Sequence, residues 1–114
     1  MATTFDWDTL VMQVFSAKLN GGEVAKFKTS MALTAKHISF HNMSEGTAFT
    51  VAATVENAGS EIDSSSDTLA ADTTEEFEDA TLSNRTIADG AIVTLQAGDL
   101  PTYIVLTCWA TYVS

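Results

Sequence analysis

Two histidines stand four residues apart in the run Lys36-His37-Ile38-Ser39-Phe40-His41. Positions i and i+4 share a face on a strand or a helix, so the pair has the spacing of two ligands to one metal ion. A third ligand is wanting, because the chain has no other histidine, one cysteine, and a Glu45 that would have to fold back. Both imidazoles are therefore expected to be outward polar groups, opposite Ile38 and Phe40. Clustered carboxylates invite calcium. Yet Glu61–Asp67 (EIDSSSD) lacks the Asp/Asn/Gly alternation of an EF-hand loop, and Asp72–Asp79 (DTTEEFED) lacks glycine altogether. Both read as solvated acidic surface. Cys108 falls in an apolar run and reads as a small buried hydrophobe. Ser64–Ser66 has no G-x-S-x-G elbow around it, and neither G-x-G-x-x-G nor a Walker A pattern occurs. Asn42-Met43-Ser44 and Asn84-Arg85-Thr86 match the glycosylation sequon but read as chance matches without a secretion leader. No catalytic residue, metal ligand or cofactor is assigned, and no enzyme is expected.

The frame that would position such groups is small. One hundred and fourteen residues and 12.1 kDa leave room for one domain. The 46% of hydrophobic residues can build a core. A single cysteine excludes an internal disulfide, and no apolar run approaches the ~20 residues that cross a bilayer. Five cations against fifteen acids give a net charge of −10, which argues against a nucleic-acid partner. No membrane association is expected either. The acidic start MATTFDWD lacks a signal-peptide pattern, so assembly in the cytoplasm is expected.

From Val24 onward the chain uses β grammar. Seventeen threonines recur among Val, Ile, Phe and Tyr. Turn clusters separate short runs at Lys36–His41, Phe49–Glu56, Phe77–Leu82, Ala91–Gln96 and Tyr103–Val113. Such spacing reads as an all-β antiparallel sandwich, expected over residues 23–114. In the last run, Ile104, Leu106, Cys108, Ala110 and Tyr112 share one face, while Tyr103, Val105, Thr107, Trp109, Thr111 and Val113 share the other. That strand should be central, or have its second face covered. Trp109, Tyr103 and Tyr112 are expected to pack between the sheets. Glu61–Asp67 is expected as a loop, and Asp72–Asp79 as a loop or a charged sheet edge.

Residues 1–22 form a separate unit in this reading. Leu10, Val11, Val14, Phe15 and Leu19 fit a helical stripe that Asn20-Gly21-Gly22 would end, so a short helix or arm is expected. A strand pair turning at Asn20-Gly21 is the rival. The charge is lopsided as well: residues 1–36 hold Lys18, Lys26, Lys28 and Lys36, four of the five cations. Phe5, Trp7, Leu10, Val11, Val14 and Phe15, with Lys18, Lys26 and Lys28, are the candidate partner-binding residues.

The order of phrases carries a resemblance. ALTAKHISFHNMSEGTAFTVAATVENAGSEI reads as strand, turn, and a strand ending in an N-x-G turn. Leu82, Asn84, Thr86-Ile87, Asp89-Gly90 and the apolar Ala91–Leu95 follow, and YIVLTCWATYV closes the chain. Over Lys36–Val113 this is similar to small β-sandwich proteins encoded among tailed-bacteriophage structural genes. Many of those would carry glycine-aspartate where this chain has Asp89-Gly90. The resemblance implies a jelly-roll-like virion protein, specifically a capsid decoration (cement) protein that binds outside the major capsid protein shell and stabilises it. It also implies a homo-oligomer, trimer or dimer, located on the capsid surface. A carbohydrate- or receptor-binding module of a fibre or baseplate is the alternative, as is a head–tail adaptor.

Overall fold

A computed structural model describes residues 12–110, so the expectations placed on Phe5, Trp7, Leu10, Val11 and Tyr112 lie outside the described residues. Among these described residues nine strands follow one another: β1 (Met12–Leu19), β2 (Val24–Lys28), β3 (Leu33–Asn42), β4 (Thr54–Asn57), β5 (Ser60–Ser64), β6 (Thr74–Glu78), β7 (Thr86–Ile87), β8 (Ile92–Gln96) and β9 (Thr102–Ala110). They form two antiparallel sheets. The first has the order β1-β9-β3-β6, with β7 also on β3; the second has the order β2-β8-β4-β5. The all-β sandwich read from the sequence is what the chain adopts. Among the described residues no helix is long and apolar enough to cross a membrane.

Alternation builds the core. On β9, Thr102, Ile104, Leu106 and Cys108 point inward and are fully buried. On β3, Leu33, Ala35, Ile38, Phe40 and Asn42 do the same. Between Ala35 and His37 the register shifts by a bulge, which turns both Lys36 and His37 outward. The expected central position of the last strand holds, because β9 lies between β1 and β3. Rings tie the layers: Phe15 of β1 meets Phe27 of β2 at 5.4 Å between centroids, across the two sheets.

The expected helix is not found over residues 12–19. Residues 12–19 are a strand rather than a helix, aligned with β9 from Met12↔Trp109 to Leu19↔Thr102. The stripe that suited a helix also suits a strand, since Phe15, Ala17 and Leu19 alternate with Val14, Ser16 and Lys18. The free side of β9 offers cross-strand backbone partners along the whole segment, whereas a helix this short is marginal in water on its own. The hairpin alternative fails too, because β1 and β2 belong to different sheets. Asn20-Gly21-Gly22 is instead the corner where the chain changes layer. A Cβ at Gly21 would collide with the Asp99 carbonyl, and Gly22 donates its N–H to Gly98 O at 2.7 Å.

Three other boundaries moved. The expected Phe49–Glu56 strand is paired only from Thr54, where β4 begins, while Phe49 and Ala53 are buried in irregular backbone. The expected loop Glu61–Asp67 holds most of β5, anchored by the buried Ile62. The expected Phe77–Leu82 strand ends at Glu78 and passes into a 3₁₀ turn at Asp79–Thr81. Asp72–Asp79 does hold an edge strand, β6. The Asp89-Gly90 departure has a simple geometry: Ala91 N–H reaches Ala88 O at 3.1 Å, and Gly90 takes the positive φ of 82° that this turn position requires.

Candidate functional site

The outer face of the first sheet gathers most of the singled-out residues. Strand register sets them in four rows: Met12–Trp109–Thr34, Val14–Thr107–His37–Glu78, Ser16–Val105–Ser39–Glu76 and Lys18–Tyr103–His41–Thr74. One end of the rows is apolar. Met12 is 58% exposed, Val14 47% and Trp109 39%, and Lys18 lies 5.7 Å from the centre of the Tyr103 ring. The other end is acidic, with Glu76 and Glu78 on β6 and Asp79 just beyond.

The histidines face outward, while Ile38 and Phe40 between them are buried. Each imidazole is engaged by β6 or the turn before it. His37 Nε2 is 2.9 Å from Glu76 Oε1 and 4.0 Å from Glu78 Oε1. His41 Nδ1 is 2.7 Å from Thr74 Oγ1, and its Nε2 is 3.3 Å from Asp72 Oδ1. Neither pair converges on a common third ligand, and among the described residues no group of three His, Cys, Asp or Glu could hold a metal ion. Lys36 and Arg85 both approach Asp79 Oδ2 at 3.4 Å. At this exposure such pairs contribute little stability; they fix the rim of a shallow cleft of about 440 Å³ lined by Lys36, His37, Glu78, Asp79, Thr107 and Trp109.

Other reactive residue types are spent on structure. Cys108 is fully buried, and burial pushes its thiol up to about 12, so no thiolate is available. Ser65 Oγ accepts the Ala53 N–H at 2.9 Å and donates to Ser66 O at 3.0 Å. Asn42 of the first sequon is fully buried. Its Nδ2 donates to Thr47 O and Leu69 O, both at 2.9 Å, and its Oδ1 accepts from Ser44 N–H at 2.9 Å. Asp99 accepts from Thr50 Oγ1 at 2.7 Å, Thr50 N at 2.9 Å and Val51 N at 3.1 Å. These bonds, the Thr50 hydroxyl first, hold its carboxyl below the usual value.

The partner-binding candidates separate. Val14 and Lys18 lie on the outer face, but Phe15 points into the core and is 7% exposed. Lys26 and Lys28 are outward on β2, in the other sheet, so the N-terminal cations are divided between opposite faces of the molecule. Lys26 borders a shallow depression of about 660 Å³ with Val24, Glu56, Ile92 and Gln96. Trp109 and Tyr103 do not pack between the sheets as expected. The inward parity of β9 belongs to Ile104, Leu106 and Cys108, so both aromatics must face out. That signal was present in the alternation of the strand. The bulge that sets Lys36 beside His37 has no comparable local signature.

No family model and no curated protein matches the chain. Among solved structures, it is similar to the catalytic domain of a GH87 α-1,3-glucanase in complex with nigerose and to that catalytic domain with tetrasaccharides. Each match has 12% identity and a TM-score of 0.44, covering 87% of this chain and 22% of the other. It is also similar to a chain of infectious bursal disease virus, Gx strain, at 11% identity and a TM-score of 0.32, covering 87% of this chain and 32% of that one. The chain thus spans a fifth to a third of the length of these structures. At such TM-scores the likenesses decide neither kinship nor function.

Proposed function

We propose that this protein is a non-catalytic virion component, a capsid decoration protein that docks on the outside of a major capsid shell through the β1–β9 face of its first sheet. The observation that carries the reading is the division of that face. Met12, Val14 and Trp109 are exposed on one end, and the carboxylates are confined to the other. Burying an apolar strip stabilises a shell contact, while the acidic end keeps copies dispersed. The order of motifs over Lys36–Val113 supports the phage assignment. Co-sedimentation with purified shells tests it: Val14→Glu and Trp109→Ala should each weaken binding at least tenfold, without loss of the folded state. Binding unchanged in both would remove this face from the contact. A deletion probe of the N-terminus must stop at residue 11, because Met12–Leu19 is part of the sheet.

A second reading rests on Trp109. An exposed indole beside Glu78, Asp79, His37 and Thr107 offers a stacking plane flanked by hydrogen-bonding groups, as glycan recognition needs. Titration of oligosaccharides against Trp109 fluorescence, with Trp109→Phe as the blank, separates the two readings.

A further inference from the structure

One side of the β1 backbone is taken along its whole length by β9, with no break in register. Among the described residues no strand pairs with the other side. Natural sheets defend such edges with charge, bulges or proline. The remaining edges here do so. β6 carries Glu75, Glu76 and Glu78, β2 carries Lys26 and Lys28, and β5 is bulged against β4. In contrast, β1 (MQVFSAKL) has one charge, Lys18, and its neighbour β9 has none.

We propose that β1 pairs antiparallel with β1 of a second copy across a two-fold axis, joining the two first sheets into one continuous sheet. Charge selects the occupant. Two chains of net charge −10 repel over most of their surfaces and can approach closely only along an edge free of acids; β2 is such an edge too, but pairing with its own copy centred on Phe27 sets Lys26 against the partner's Lys28, which leaves β1. The pairing is also self-complementary. Inward residues must stay inward, which restricts the register to matched parity. Centred on Phe15, the pairing sets Val14 against the partner's Ser16 and Lys18 against the partner's Met12. Centred on Ser16, it sets Lys18 against the partner's Val14. In both registers the two lysines stay apart and each covers an apolar side chain. The contact is isologous, so it closes at two copies. It also brings the two exposed strips side by side across the joint. The inference does not depend on the shell reading.

Light scattering after gel filtration of the full chain should give 24.2 kDa, twice the 12.1 kDa of one chain. Val14→Glu puts an acid on the exposed side of the edge and should return the mass to that of one chain with its melt still cooperative. As an independent measurement, Ser16→Cys in the Ser16-centred register, or Val14→Cys combined with Ser16→Cys in the Phe15-centred one, should form a disulfide-linked dimer on mild oxidation, and Glu76→Cys on the guarded edge should not. Cys108 is buried and does not compete. A monomer at all concentrations, a trimer, or equal crosslinking from both cysteine positions overturns the proposal. A monomer that still co-sediments with shells would sink the pairing alone, and a dimer that binds no shell would sink only the shell reading.

Discussion

The two outer strands of the first sheet, β1 and β6, solve the same problem differently. Among the described residues each pairs on one side only, and each sends one aromatic ring inward: Phe15 meets Phe27 at 5.4 Å, and Phe77 meets Phe40 at 5.9 Å, edge to face. Their outward sides diverge. β6 presents Glu76 and Glu78 beside Thr74, and these engage the histidines of β3. β1 presents Met12, Val14 and Ser16, with Lys18 at its end. An edge that carries carboxylates is closed to strand addition by repulsion and by the cost of desolvating them. The comparison teaches that the chain's acidity is a pattern: it is spent where contact must be avoided and withheld where contact is useful.

The largest expected effect tests whether β1 belongs to the fold as fully as β6. Phe15→Ala should destabilise the domain by about 3–5 kcal/mol, the cost of emptying a buried aromatic site. Phe77→Ala, from a half-buried ring, should cost less. Urea unfolding of both variants measures this, and a Phe15→Ala loss below that of Phe77→Ala would mean that β1 is an appended arm. Next in size is the guard itself. Replacing Glu76 and Glu78 together by Gln should cost under ~1 kcal/mol of stability, because the pairs are exposed. It should nevertheless open a second edge and produce species larger than those of the parent on gel filtration. An unchanged elution profile would show that the carboxylates do not guard β6.

The smallest effect concerns the corner that launches β1 into β2. Gly22 is bonded to Gly98, and the same loop is clamped by Asp99 onto Thr50 and Val51. The Asp99 carboxyl is held below its ordinary 3.8, so it binds a proton more weakly in the folded chain than in the unfolded one. Its stabilisation is complete above that ordinary value and is lost as pH falls through the lower folded value. Asp99→Asn should therefore be slightly less stable at neutral pH and less sensitive to acid below about pH 4. Parallel melts of the two proteins down the acid range measure the difference.

Much of the sandwich was legible because its signals are local. The inward parity of Ile104, Leu106 and Cys108, the outward histidines around Ile38 and Phe40, and the charged edge at Asp72–Asp79 each follow from alternation within a few residues. Glu61–Asp67 misled because its one strand signal, Ile62, is surrounded by acids and serines, and its burial depends on what lies across the core. The candidate face was only half legible. Parity alone places Trp109 outward, but the neighbours that make it part of a strip come from β1 and β3. The cation cluster misled for the same reason: Lys18 is one turn of chain away from Lys26 and Lys28, yet that turn changes sheets.

By itself, then, the sequence determined the all-β class, the inward and outward sides of β9 and of β3 from His37 onward, and the burial of Cys108, because each depends on a two-residue period that any flat pairing would preserve. Tertiary structure alone decided that Met12–Leu19 is a strand, that residues 20–23 are a corner between layers, and that the β1 edge carries a single charge. Those outcomes depend on which backbone offers hydrogen bonds to which. Partners far apart in the chain settle that choice, and no local spacing records it.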